Sequence, residues 1–214
     1  MKLLQGKLWA LVCCLLLAAC ETAYYNAWEK VGVHKRDILV DRVEDTQEAQ
    51  QDAQEQFKDA LEQYRSVVNF DGGDLEKLYN RLNSEFESSE EAAAKIRDRI
   101  ESVRDVAEDL FKEWEKELEL YTDQGLRRDS NRQLQETRTR YKRMIAAMEK
   151  SEKSMHPVLD RFRDQVLYLK HNLNARAISS LKGELKVIDD DVAQLINTMQ
   201  RSIEEANQFI NTLK

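Results

Sequence analysis

Three histidines, His34, His156 and His171, together with Ser154, are the residues of this chain best suited by type to acid–base, nucleophilic or metal chemistry. Their spacing argues against most of it. None lies in an H-x-x-x-H pair, and Val31, Lys153 and Tyr168 occupy the positions three before the histidines, so the E-x-x-H signature of a di-metal helical bundle is missing. Ser154 stands two residues before His156, which on a helix puts the two on different faces. His34, Asp37 and Asp41 share one helix face at i, i+3 and i+7, a charged surface beside Ile38 and Leu39. No G-x-x-x-x-G-K-[ST] is present, and "FDGGDLEK" lacks both its ending and a preceding strand. No catalytic residue, cofactor, metal or small-molecule substrate is therefore expected, and the chain reads as not an enzyme.

Cys20 is different, because the chemistry that suits it is modification. The chain opens with Lys2 and Lys7 and no acid, and Leu8–Ala19 follows without a charge. That run is shorter than the roughly 20 apolar residues needed to span a bilayer. A basic start, a short apolar stretch and small residues at its boundary describe a secretory signal peptide. Leu17-Ala18-Ala19-Cys20 resembles the lipobox of bacterial lipoproteins, in which the thiol is diacylated and cleavage before the cysteine frees an amino group that is acylated in turn. The competing reading makes this the apolar first turn of a core helix with three clustered cysteines. On the lipobox reading residues 1–19 leave as the signal peptide, residues 20–214 form the mature chain, and no free thiol remains for a disulfide framework. More than one acyl chain gives a stable anchor. The expected location is the bacterial cell envelope, periplasmic side. Glu21 is a weaker inner-membrane retention signal than the aspartate that tends to act at that position, so the outer membrane is favoured.

Composition narrows the partners. The formal charge is −7, and −9 once Lys2 and Lys7 are removed. That argues against a nucleic-acid footprint, which needs a basic face. Charged residues make up 34% of the chain and aromatics only 7%, a balance that suits either disorder or long solvated helices. The spacing of the apolar residues selects helices.

Neither glycine nor proline occurs in residues 33–71, 74–124 or 184–214. Within these stretches apolar residues recur at alternating spacings of three and four. Leu39, Val43, Thr46, Gln50, Ala53, Phe57, Ala60, Tyr64 and Val67 form the first series. Its polar middle, Thr46–Ala53, predicts weak packing and a stripe available to a partner. Leu82, Phe86, Ser89, Ala93, Ile96, Ile100, Val103, Ala107, Leu110 and Trp114 form the second, continued at Tyr121. Leu134, Thr137, Tyr141, Met144, Met148, Ser151, Met155, Val158, Phe162, Gln165 and Leu169 carry the third through Pro157, which predicts a kinked helix there rather than a break. Leu181, Leu185, Ile188, Val192, Leu195 and Met199 carry the fourth, extended to Leu213 with one shift of phase. Such series specify supercoiled helices.

The joints read as helix ends. Gly72 and Gly73 stop one helix and Asp74 caps the next. Gly125 reads as a stop, with Ser130 and Gln133 as a capping box for the third helix. Asn172, Asn174 and Gly183 compete to start the fourth. The expected fold is all-α: one elongated antiparallel coiled-coil bundle of three long helices and a shorter fourth, with the lipid at one end.

Two features at that end invite partners. Residues 127–143 hold seven positive and two negative charges, and residues 108–119 of the neighbouring helix hold six acids and two lysines. Pairing between the helices is expected, with anionic headgroups as the competing partner. Tyr24, Tyr25 and Trp28 are expected to pack with Trp114, Tyr121 and Tyr141, although a membrane-interface belt would use the same residues.

Three stretches, "EKVGVHKRDILVDRVEDTQEAQ", "VNFDGGDLEKLY" and "FRDQVLYLKHNLNARAISSL", resemble a bacterial lipoprotein family catalogued only as a domain of unknown function. The resemblance runs over nearly the whole mature chain. It implies a helical, coiled-coil lipoprotein and brings no active site; the ATPase label sometimes attached to members finds no P-loop here. The function expected is that of a lipid-anchored structural or adaptor protein of the envelope. Its partners would be the membrane and a protein, or a second copy, bound through helical faces. A binding module for a lipid or other hydrophobic ligand is the alternative.

Overall fold

The computed structural model describes residues 35–213 and consists of four helices: α1 (Lys35–Val68), α2 (Leu75–Leu118), α3 (Gln124–His171) and α4 (Ala175–Leu213). They are joined by short connections at residues 69–74, 119–123 and 172–174. Short links between long helices force neighbours antiparallel, and the cross-helix pairs run that way. Asp45 meets Arg99 while Gln56 meets Glu85. Arg104 meets Glu149 while Arg163 meets Glu90. Gln50 meets Ser202 while Tyr64 meets Leu181. Each helix packs against two others, in the cyclic order α1, α2, α3, α4. The fold is an antiparallel four-helix bundle. α4, with 39 residues, is shorter than α2 with 44 and α3 with 48 but longer than the 34 described residues of α1. At 1.5 Å per residue α3 is about 72 Å long.

The core is the seam read from the apolar spacing. Every member of the first series from Leu39 to Val67 is buried, and so are Leu82 to Ala107 of the second and Leu181, Ile188, Val192, Leu195 and Met199 of the fourth. Large side chains with almost no solvent contact, Phe57, Tyr64, Phe162 and Phe209, fill it along its length. α3 runs unbroken through Pro157. Ser151 and Met155 before the proline and Val158 and Leu159 after it are all buried, so tertiary packing offsets the lost amide donor.

The polar middle of α1 is not an open stripe. Thr46, Gln47, Gln50 and Ala53 are buried against α4. Gln47 Nε2 donates to the Ile203 carbonyl at 3.0 Å, Gln50 Nε2 donates to Ser202 Oγ at 3.0 Å, and Thr46 Oγ1 donates to the Arg42 carbonyl at 2.8 Å. These donors are paired inside the bundle, although the buried Gln50 Oε1 has no hydrogen-bond partner, and the partner surface expected there is already occupied by α4.

The second series departs from its rhythm after Ala107. Phe111 and Leu118 are buried, Leu110 and Trp114 only partly, and Tyr121 is exposed. The reason lies in the neighbours. Lys35 of α1 is level with Glu113, its Nζ 3.3 Å from the carboxylate. Near this level α2 also turns its side chains to α3: Phe111 meets Tyr141 edge-on at 5.4 Å, Arg138 lies over the Phe111 ring, and Trp114 Nε1 donates to Ser130 Oγ.

Helix ends follow local chemistry. Gly72 and Gly73 hold φ of 145° and 110°, values that favour glycine, and the Asp74 side chain caps α2 by accepting from Lys77 N. The start of α3 differs from expectation. Asp123 caps it, accepting from Gly125 N and Leu126 N, so Gly125 is inside the first turn and Ser130 lies in the helix. An aspartate with two free amides beyond it outcompetes the later serine. At the last joint the Asn174 side chain accepts from Arg176 N and Ala177 N, and Gly183 is accommodated within α4.

Candidate functional site

Cys20 and His34 lie outside the described residues, as do Tyr24, Tyr25 and Trp28. Of the acids grouped with His34, Asp37 and Asp41 are exposed, and Asp37 is 3.5 Å from Arg36 Nε. The other histidines are engaged or solvated. His156 Nε2 is 3.1 Å from Glu152 Oε1 one turn back, an exposed i, i+4 pair, and His171 is exposed at the end of α3. The Ser154 hydroxyl donates to the Ser151 carbonyl at 2.7 Å and makes no contact with His156. Among the described residues no group of three or more His, Cys, Asp or Glu side chains is placed to hold a metal ion. No described helix is long and apolar enough to cross a membrane.

Chemistry of another kind concentrates at the end of the bundle that carries the starts of α1 and α3 and the ends of α2 and α4. The two opposed charge runs meet there in part. Arg138 Nη1 donates to Glu115 Oε1 at 2.6 Å while stacking on Phe111, and this bond holds the Glu115 carboxyl below its ordinary range. Arg104 Nη2 donates to Glu149 Oε1 at 2.5 Å, which raises the guanidinium pKa further. Arg143 turns to the other side and pairs with Glu205 and Gln208 of α4. Arg127, Arg128, Arg140 and Lys142 form no ion pair among the described residues. Interhelical pairing thus accounts for part of the basic run and leaves its first turn to solvent.

Tyr141 stands between the paired groups. Burial pushes its phenol up to about 12, with Arg104 opposing the shift and Glu149 adding to it. Trp114, the aromatic expected beside it, has its Nε1 donating to Ser130 Oγ at 2.8 Å. Trp114, Leu110, Thr137, Arg140 and Leu213 line a cleft of about 660 Å³ that opens between helix ends, with Arg36 at its edge. Its walls alternate polar and apolar atoms, as suits a surface groove.

Below this cleft α2 and α3 continue as a hairpin whose tip carries exposed apolar side chains. Leu120 is 79% exposed, Leu126 59% and Tyr121 38%. Apolar spacing did not single out Leu120 or Leu126, because both fall outside the seam; the available signal was two leucines and a tyrosine flanking the turn residues "TDQG". At the opposite end Leu167, Tyr168 and Leu173 are exposed beside a second cleft lined by Phe70, Leu75, Leu173 and Ile178.

The architecture offers two ends with exposed apolar side chains and a closed core, and nothing in it points to catalysis. No curated protein matches the chain. The family model described as "Protein of unknown function (DUF2959)" matches residues 24–213, from beside Cys20 to the last described residue of α4, and the chain belongs to that family.

Proposed function

We propose that this protein is a lipid-anchored, non-catalytic helical bundle of the bacterial envelope. It is held through Cys20 on the periplasmic face of the outer membrane and serves as a structural element or adaptor. The observation that carries this reading is Leu17-Ala18-Ala19-Cys20 at the end of a short uncharged run that follows Lys2 and Lys7. The bundle is compatible with it. Only 14 residues, 21–34, separate Cys20 from the start of α1, so the anchor is tethered to that end of the rod. The exposed Leu167, Tyr168 and Leu173 then stand at the far end, about 70 Å away by helix length, where a protein partner would meet them.

The test is acylation and fractionation. The wild-type chain expressed in a Gram-negative host incorporates labelled fatty acid and sediments with outer-membrane vesicles on a density gradient, whereas Cys20→Ser incorporates none and remains as precursor. Recovery of wild-type protein wholly in the soluble periplasmic fraction overturns the reading. Crosslinking in intact envelopes through residues 167–173 then identifies the partner at the free end.

A further inference from the structure

We propose that the α2–α3 turn is a second membrane contact: Leu120, Tyr121 and Leu126 enter the interfacial layer of the phospholipid bilayer that holds the anchor, with Arg127 and Arg128 against lipid phosphates. The inference rests on the reading of Cys20 as a membrane anchor, and goes beyond it by assigning a surface that sets how the rod stands.

Leu120 and Leu126 are the two most exposed large apolar side chains in the described structure, and they flank one turn. The turn is well ordered by its own bonds: Leu120 N donates to the Glu117 carbonyl at 3.0 Å, and Asp123 accepts from Gly125 N and Leu126 N. The exposure is therefore a property of a built tip. A tyrosine beside two leucines, followed by two arginines without ion pairs among the described residues, is the mixture that favours a bilayer interface, where apolar bodies and polar ends are solvated in different layers. The acids of the tip do not oppose this arrangement. Asp123 is occupied as the helix cap, Asp129 pairs with Arg132 at 3.0 Å, and Glu117 and Glu119 precede Leu120 at the end of α2.

Position supplies the occupant. Lys35 is level with Glu113, and Leu120 lies seven residues further along the chain, so the tip projects about 10 Å past the first described turn of α1. α4 ends at Leu213 beside Thr137, which leaves the first 13 residues of α3 projecting by about 20 Å. The hairpin is the foremost part of the described bundle on the side from which the chain leads back to Cys20. The 14 intervening residues reach up to about 50 Å when extended, well over the projection, so anchor and tip can lie in one membrane plane.

The cysteine chemistry provides a clean experiment. In the mature acylated chain a thiol introduced by Leu120→Cys is the only free one, and a position 79% exposed in a turn tolerates the change. The full chain is reconstituted in phosphatidylcholine–phosphatidylglycerol vesicles and labelled there with an environment-sensitive fluorophore. Leu173→Cys, labelled alike at the free end, serves as reference. Intact mass reports acylation of Cys20 separately, so failure of the anchor and failure of the tip contact are read from different signals. The expected result is blue-shifted emission at position 120, quenched by lipids carrying a quencher in the upper acyl region, and water-like unquenched emission at position 173. Arg127→Gln/Arg128→Gln weakens the quenching at position 120. Water-like emission at position 120 in acylated protein overturns the proposal. So does a blue shift that lipid quenchers leave untouched, which would place a protein surface or a second copy on the tip, and so does equal quenching at both positions, which would lay the whole rod on the membrane.

Discussion

The Tyr64 hydroxyl donates to the carbonyl of Leu181 at 2.8 Å, closing a contact between residues 117 apart in sequence near the end of the bundle that carries the α1–α2 and α3–α4 joints. The ring itself is fully buried and meets Phe162 of α3 edge-on at 6.2 Å. One side chain thereby ties α1 to both helices of the opposite hairpin. Burial, reinforced by Glu184, pushes its phenol above the ordinary tyrosine range. Removing only the hydroxyl, with Tyr64→Phe, costs about 1 kcal/mol by leaving a buried carbonyl without its donor. Tyr64→Ala costs about 3–5 kcal/mol through the cavity. Chemical denaturation of the two variants checks this ordering.

The same phenols set an alkaline limit. Tyr141 is raised from 10.0 to about 12 in the folded chain, and Tyr64 is shifted in the same direction. A group that holds its proton more tightly when folded contributes stability that is complete below the unfolded pKa and is lost as pH rises through the folded one. Melting temperature should therefore be insensitive to these groups below pH 10 and fall between pH 10 and about 12. Tyr141→Phe should flatten part of that fall. An unchanged profile in the double variant Tyr64→Phe/Tyr141→Phe would show that other groups control it.

Ile100 sits in the middle of α2 and is 3% exposed. Ile100→Asp places a carboxylate in the seam without a partner and should destabilise the bundle by several kcal/mol. Helical circular dichroism followed through a thermal melt measures the loss. A wild-type melt would mean that this face of α2 is not in the core.

The glutamine–serine contact in the centre of the bundle makes a sharper double-mutant test. Gln50 Nε2 donates to Ser202 Oγ, and both residues are fully buried. Ser202→Ala alone should cost about 1 kcal/mol, because the buried amide loses its acceptor. Gln50→Met combined with Ser202→Ala should recover that loss or exceed it, since both polar groups leave together. Additive losses in the pair would show that the polar layer contributes to stability through other contacts.

Pro157 lies in mid-helix with its ring exposed. Packing of Met155, Val158 and Phe162 holds α3 together around it, yet proline withholds one helix hydrogen bond. Pro157→Ala should raise stability by up to about 3 kcal/mol, read from denaturant midpoints at unchanged slope.

The sequence alone determined the helices and most of the face each one buries. Leu39 to Val67, Leu82 to Ala107 and Leu181 to Met199 were legible because a repeat of three and four residues places side chains on one side of any helix, whatever it packs against. Asp74 was legible as a cap for the same local reason. Tertiary structure decided what depends on neighbours remote in the chain. The seam of α2 passes from Leu110 and Trp114 to Phe111 and Leu118 where its side chains meet α3, as Phe111 meets Tyr141. Gln50 is a core residue because Ser202 is opposite, and Thr46–Ala53 is closed because α4 covers it. Leu120 and Leu126 fall outside the apolar series and beside turn residues, but that alone does not decide their exposure. They are exposed because α2 and α3 run on past Leu213, and how far two helices outrun a third is set by the register in which the whole bundle packs.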